Sequence, residues 1–167
     1  MKLAHLNHLD PKTAQAEFAR CCGSSRWADE MAARRPFRDE AELYAEAQEI
    51  WRRLSPEDWR EAFSHHPKIG DRDSLRQKFA GTRHWSEGEQ AGMHGAAEGV
   101  LEALAAGNAA YEEKFGYIFI VCATGKSAEE MLAILRQRLP YDPAVEIKIA
   151  AEEQSKITKI RLEKLLQ

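Results

Sequence analysis

The chain predicts an all-α fold, a compact single-domain helical bundle over residues 1–167 with one extended apolar segment near 117–123. Three observations carry that prediction. Capping-box patterns recur four times, at Asp39/Glu42, Ser55/Asp58, Ser86/Glu89 and Ser127/Glu130. Each sets a small polar residue three positions before an acidic one, so that the two can satisfy amides a helix start leaves unpaired. Asp10-Pro11 and Asp142-Pro143 mark two further starts, because proline at the first helical position lacks an amide that would go unpaired anyway. Between these signals apolar residues return every three or four positions, the period of one buried helix face.

Taken in order, the helix opened by Pro11 turns Ala14, Phe18 and Cys21-Cys22 inward, and Gly23 ends it. A short helix holds Trp27 and Met31 until Pro36 interrupts it. After Asp39, Leu43, Ala47, Ile50, Trp51 and Leu54 recur at helical period. After Ser55, Trp59, Ala62, Phe63 and His66 fall at i, i+3, i+4 and i+7 and share one face, while His65 points about 100° away. Pro67 disfavours a helical His66, so the helix ends there. Residues 68–85 read as a short helix within an ordered loop, a length that in compact domains usually signals function. The Ser86 helix carries Met93, Ala97, Val100, Leu101 and Leu104, with Gly107 expected to stop it; Tyr111 and Phe115 then pair on a short helix closed by Gly116. Met131, Ile134, Leu135 and Leu139 form the stripe after Ser127, and the last helix runs from Pro143 to about residue 165.

One segment differs. Tyr117-Ile118-Phe119-Ile120-Val121-Cys122-Ala123 is continuously apolar and lies between Gly116 and Gly125. It reads as a buried strand with no partner strand in view, or as a buried helix. If extended, its amides and carbonyls must find helix ends, side chains, water or a ligand, which makes it a candidate substrate-binding wall.

Bulk numbers exclude several functions. A net charge of −3 with 31% charged residues gives no basic excess for a nucleic-acid backbone. The pairs Arg34-Arg35 and Arg52-Arg53 read as solvated helix faces. No apolar run reaches the roughly 18 residues that span a bilayer, and the first residues lack a signal-peptide core. The three cysteines, Cys21-Cys22 and Cys122, form neither a CxxC pair nor an even framework, which fits a reducing compartment and buried, unreactive thiols. No metal site is expected: His5 and His8 are spaced i+3, and there is no HExxH. Gly125-Lys126-Ser127 resembles the end of a phosphate loop, but Ile120 stands where its first glycine would be.

Three places hold side chains suited to chemistry. His66 closes its helix half within an aromatic wall; helix-end carbonyls favour its protonated form and desolvation opposes it, as suits a proton donor, although a satisfied core histidine has the same spacing. Ser86-Glu87-Gly88-Glu89-Gln90 places a hydroxyl, carboxylates, an amide and unpaired backbone N–H groups at one helix start, either as a cap or as a ligand site. Arg161 shares a helix face with Ala150, Gln154, Ile157 and Leu165, as a snorkelling arginine paired with a glutamate or as a clamp for a carboxylate or ureido group.

His66-Pro67-Lys68-Ile69-Gly70, Ser86-x-x-Glu89-Gln90, Phe115-Gly116-Tyr117 through Ala123, and Gln154-Ser155-Lys156-Ile157 through Arg161-Leu162, in that order, resemble the OHCU (2-oxo-4-hydroxy-4-carboxy-5-ureidoimidazoline) decarboxylase family. Ser25-Arg26-Trp27 and Arg35-Pro36-Phe37 also match family positions. The resemblance covers nearly the whole chain and implies an all-α homodimer that uses no cofactor and converts OHCU to (S)-allantoin and CO2 in urate degradation. It makes His66 the proton donor, with Pro67 shaping the pocket beside it, and Glu89 the second catalytic residue. Ser86, Glu87, Gly88, Glu89 and Gln90, the backbone of Phe119, Ile120, Val121, Cys122 and Ala123, and Arg161 become substrate contacts. The ending Leu165-Leu166-Gln167 differs from a peroxisomal tail and resembles the cytoplasmic bacterial branch. A non-catalytic helical interaction module, or a hydrolase of an earlier urate-derived intermediate, would carry many of the same features.

Overall fold

Helices begin where the sequence supplies caps. A computed structural model of the chain describes the backbone of residues 1–67, 72–79 and 87–167, and their side chains except those of 72, 78 and 87–97. Among the described residues there are nine helices and no strand, which makes the protein all-α as expected. No helix there is long and apolar enough to cross a membrane. The chain forms two compact units, Met1–His66 with Ile149–Gln167, and Pro67–Lys148.

The first unit contains α1 (Leu3–His8), α2 (Pro11–Cys21), α3 (Ser25–Arg34), α4 (Glu40–Arg53), α5 (Pro56–Ser64) and, from Ile149, the rest of α9 (Pro143–Leu165). Asp10, Ser24, Asp39 and Ser55 each accept a hydrogen bond from the amide three residues on, and each such cap is worth about 1 kcal/mol. At Ser55 the box is reciprocal. At Asp39 it is offset, because Glu42 reaches past the cap to the amide of Arg38 at 2.5 Å. The start of α3 gains a tertiary cap: Glu61 of α5 accepts from the Ser25 amide at 2.6 Å and from its hydroxyl at 3.0 Å.

Helix α1 has no side-chain cap at its start, and no sequence signal announces it. Its C-terminal carbonyls are met from far along the chain, Leu6 and Leu9 both accepting from Arg35 Nη1 at 2.8 and 2.7 Å. Three indole N–H groups join the larger helices. Trp27 donates to Ala47 O at 3.0 Å, Trp51 to Ala151 O at 2.8 Å and Trp59 to Trp51 O at 3.0 Å. Each large ring is buried or half-buried with its polar edge satisfied. Phe18 packs edge-on against both Trp27 and Phe37.

The second unit contains α6 (Arg72–Phe79), α7 (Glu87–Phe115), α8 (Ala128–Arg138) and the first turns of α9. Helix α6 is the short helix expected within 68–85, and Arg76 ties it to α7 through two hydrogen bonds to Glu98, 2.8 and 2.6 Å. The expected stop at Gly107 does not occur: α7 continues to Phe115. A Cβ at Gly107 would lie 2.5 Å from Leu135 Cδ2 on α8, so this glycine admits a neighbouring helix rather than ending its own. The true terminator is Gly116, at φ +81°, whose amide bonds Glu112 O at 2.9 Å as a left-handed cap does.

Residues 118–123 have neither helix nor strand hydrogen bonding. The segment is therefore not the buried helix considered above, nor a paired strand. Side chains satisfy part of its backbone: Arg138 Nη1 donates to Ile120 O and Lys126 Nζ to Cys122 O, both at 2.8 Å. Arg138 also donates to Glu146 Oε1 from Nε at 2.8 Å and Nη2 at 2.5 Å. Tyr111 donates to the same oxygen at 2.6 Å. Arg138, Glu146 and Tyr111 are all buried. Burial, and then the bond to the Glu146 carboxylate, hold the Tyr111 phenol well above its ordinary ionisation range.

Candidate active site

Helix α5 delivers His66. Its last turn closes through the His65 amide to Ala62 O at 3.2 Å and the His66 amide to Phe63 O at 3.3 Å, and Pro67, which has no amide, cannot continue it. Ala62 and Phe63 are buried, His66 half-buried and His65 exposed, as the spacing predicts. The His66 ring turns toward α9, where Nε2 is hydrogen-bonded to Gln154 Oε1.

Gln154 is fully buried. Its amide nitrogen donates to Thr158 Oγ1, one turn along α9, at 3.2 Å. Cys22, at the end of α2, is fully buried as well. Burial pushes the Cys22 thiol up to about 11, and the Cys21 thiol likewise; both stay protonated at neutral pH, in keeping with their reading as core.

Arg161 lies seven residues after Gln154, on the same face of α9 and about 10 Å further along its axis. It is half-buried, and Nη1 donates to Cys21 O at 3.3 Å, near the end of α2. A glutamate partner was one expected reading; among the described residues Arg161 forms no ion pair, and its described bond is to a carbonyl. The site-facing end of α5 is held from below: a Cβ at Gly23 would lie 2.5 Å from both Cβ and Cγ of His65. The first unit thus brings His66 and Arg161 onto one support, α9, with Gln154 between them in sequence register.

The other expected site residues belong to the second unit or lie outside the described residues. Pro67 is exposed. Ile120, Val121 and Cys122 are buried, Phe119 and Ala123 partly so, in the second unit. Ser86 lies outside the described residues, as do the side chains of Glu87, Glu89 and Gln90; the backbone of Glu87, Gly88, Glu89 and Gln90 opens α7. Gln154 was not expected as a histidine partner. The available signal was an amide on the inward face of α9, where an apolar residue would otherwise serve.

The first unit of this all-α protein thus carries an imidazole bonded through Nε2 to a buried amide, and a guanidinium with no bound carboxylate among the described residues. The model of the OHCU decarboxylase family matches residues 7–163, and this chain belongs to that family. A curated relative, the uric acid degradation bifunctional protein TTL of Arabidopsis thaliana, is 42% identical over 152 residues, covering 89% of this chain. The chain spans only 46% of that relative's length. The 2-oxo-4-hydroxy-4-carboxy-5-ureidoimidazoline decarboxylase of Haloferax volcanii is 24% identical over 97% of this chain and 94% of its own. Among solved structures, an OHCU decarboxylase crystallised in the presence of (S)-allantoin is similar with a TM-score of 0.72 and 38% identity, over 90% of this chain and 96% of that one.

Proposed function

We propose that the chain, acting as one domain over residues 1–167, decarboxylates OHCU to (S)-allantoin and CO2 without a cofactor. The observation that carries this reading is the His66–Gln154 hydrogen bond on the same helix face as an Arg161 free of carboxylate partners among the described residues. Family membership over residues 7–163 supports it.

The substrate brings its own electron sink. When the bond from the ring carbon to the departing carboxylate breaks, its electron pair forms a double bond to the neighbouring imine carbon. The imine pair moves to the ring nitrogen, which takes a proton. The resulting enol loses its hydroxyl proton, and the former imine carbon takes a proton on one face to give a single enantiomer. One proton is consumed per CO2 released. The chain's residues therefore need only orient the carboxylate and move protons. In this reading His66 donates the proton to carbon and Arg161 grips a carboxylate, ureido or ring oxygen. The remaining roles follow from the family resemblance: Pro67 beside the histidine, Glu89 as the second catalytic residue, and Ser86–Gln90 and Phe119–Ala123 as substrate contacts. A homodimer in the cytoplasm is the matching assembly and location.

The test is circular dichroism at a wavelength reporting chiral allantoin, with CO2 release measured in parallel on freshly generated substrate. His66→Ala is expected to fold and to lose at least two decades of rate, since a positioned acid–base group typically contributes ~10²–10⁴-fold. Wild-type protein that forms no chiral product above the uncatalysed rate would refute the reading.

A further inference from the structure

The His66 ring is bonded on one side to a group that takes no part in the reaction proposed above. We propose that Gln154 is a positioning residue that fixes the tautomer of His66, keeping the proton of the neutral ring on Nε2 so that the proton exchanged in catalysis is the one on Nδ1. This rests on the decarboxylase reading only for its catalytic consequence; the tautomer itself is a property of the resting protein.

The direction of the hydrogen-bond chain carries the argument. Gln154 is fully buried and its amide lies between His66 Nε2 and Thr158 Oγ1. One end of a primary amide accepts and the other donates, so the orientation of the chain decides which nitrogen of His66 holds hydrogen. Here the oxygen end faces the ring and the nitrogen end faces Thr158, to which it donates at 3.2 Å. An amide oxygen only accepts, so the hydrogen between it and the ring belongs to His66 Nε2. The other neutral tautomer would set a bare ring nitrogen against that oxygen, two acceptors with no hydrogen between them.

An amide suits the task better than a carboxylate. A carboxylate beside the ring would favour imidazolium and retain the proton the reaction requires. A neutral acceptor orients the ring and selects the tautomer with no added charge, as the third member of a nucleophile–base–orienter set does.

Nitrogen-15 NMR of the full-length protein, with histidine labelled and His66 assigned by its absence in His66→Ala, reads the tautomer directly. In wild-type protein at a pH where the ring is neutral, the proton is expected on Nε2. Gln154→Leu is expected to give a mixture of tautomers and a kcat lower by about 10- to 100-fold, the cost common for losing an orienting partner of a functional histidine. KM should change by less than about 3-fold. Gln154→Glu retains an acceptor of the same length and should restore the Nε2–H tautomer. Should Gln154→Leu fail to fold, the wild-type and Gln154→Glu spectra suffice. A proton on Nδ1 in the neutral wild-type ring, or unchanged tautomer and kcat in folded Gln154→Leu, would overturn the proposal. Wild-type protein with the Nε2–H tautomer but no decarboxylase activity would sink the functional reading and leave the hydrogen-bond assignment standing.

Discussion

Replacing Arg138 by methionine tests whether the apolar wall at 118–123 is held by a buried ion pair. The side chain retains its volume and loses every polar bond. In the native unit Glu146 Oε1 accepts from Arg138 twice, at 2.8 and 2.5 Å, and from Tyr111 at 2.6 Å, while Oε2 has no hydrogen-bond partner among the described residues. The substitution leaves a fully buried carboxylate with one phenol donor and takes the 2.8 Å bond from Ile120 O. Breaking a buried pair from one side costs about 3–5 kcal/mol, because the remaining charge stays desolvated. For a chain of this size that is a fall in Tm of roughly 6–20 °C. Urea unfolding monitored by circular dichroism, together with hydrogen exchange across 117–123, is the assay. The double variant Arg138→Met/Glu146→Leu removes both charges and should recover at least half of the loss, the signature of coupled neighbours. A single-variant cost below about 1 kcal/mol, or a double variant as costly as the sum, would refute the reasoning.

Other outcomes follow from the first unit. Gly23→Ala sets a methyl against the Cβ and Cγ of His65 rather than against a yielding side-chain tip. It should cost about 1–3 kcal/mol by urea unfolding and shift the His66 resonances; a neutral effect on both would contradict the contact. His65→Ala should change activity by less than about 3-fold, since this ring is exposed; a defect exceeding that of His66→Ala would reverse the assignment of the two histidines. Raised thiol values near 11 for Cys21 and Cys22 mean the native state keeps its protons longer than the unfolded chain. The sulfurs therefore favour folding below about pH 9, and that stability is lost as pH rises from 9 toward 11. Urea midpoints across this range should fall in wild-type protein and fall less in Cys21→Ala/Cys22→Ala. An equal fall in both would place the titration elsewhere.

Helix starts were legible because their chemistry is local. Ser55 and Asp58 are three residues apart and satisfy each other, and Asp10 with Pro11 needs no distant help. Helix α1 was not legible, because what satisfies its end is Arg35, 29 residues beyond Leu6. Gly107 misled for a related reason: glycine signals a helix stop or a close approach, and only the position of Leu135 distinguishes them. The apolar run 117–123 reads as a buried strand or helix and is neither, because its backbone is met in part by Arg138 and Lys126, whose approach leaves no trace in the run itself. At the site, period alone placed His66 inward and His65 outward. The partners of His66 and Arg161, an amide and a carbonyl, could not be read from sequence, since pairing across 88 and 140 residues leaves no periodic trace.

Cys21 and Gly23, two residues apart, each touch a different part of the candidate site: Cys21 O the guanidinium of Arg161, and Gly23 the His65 side chain beside His66. One short bend thus meets two candidate residues drawn from different helices. A substitution there would reach both at once, although neither is its neighbour in sequence.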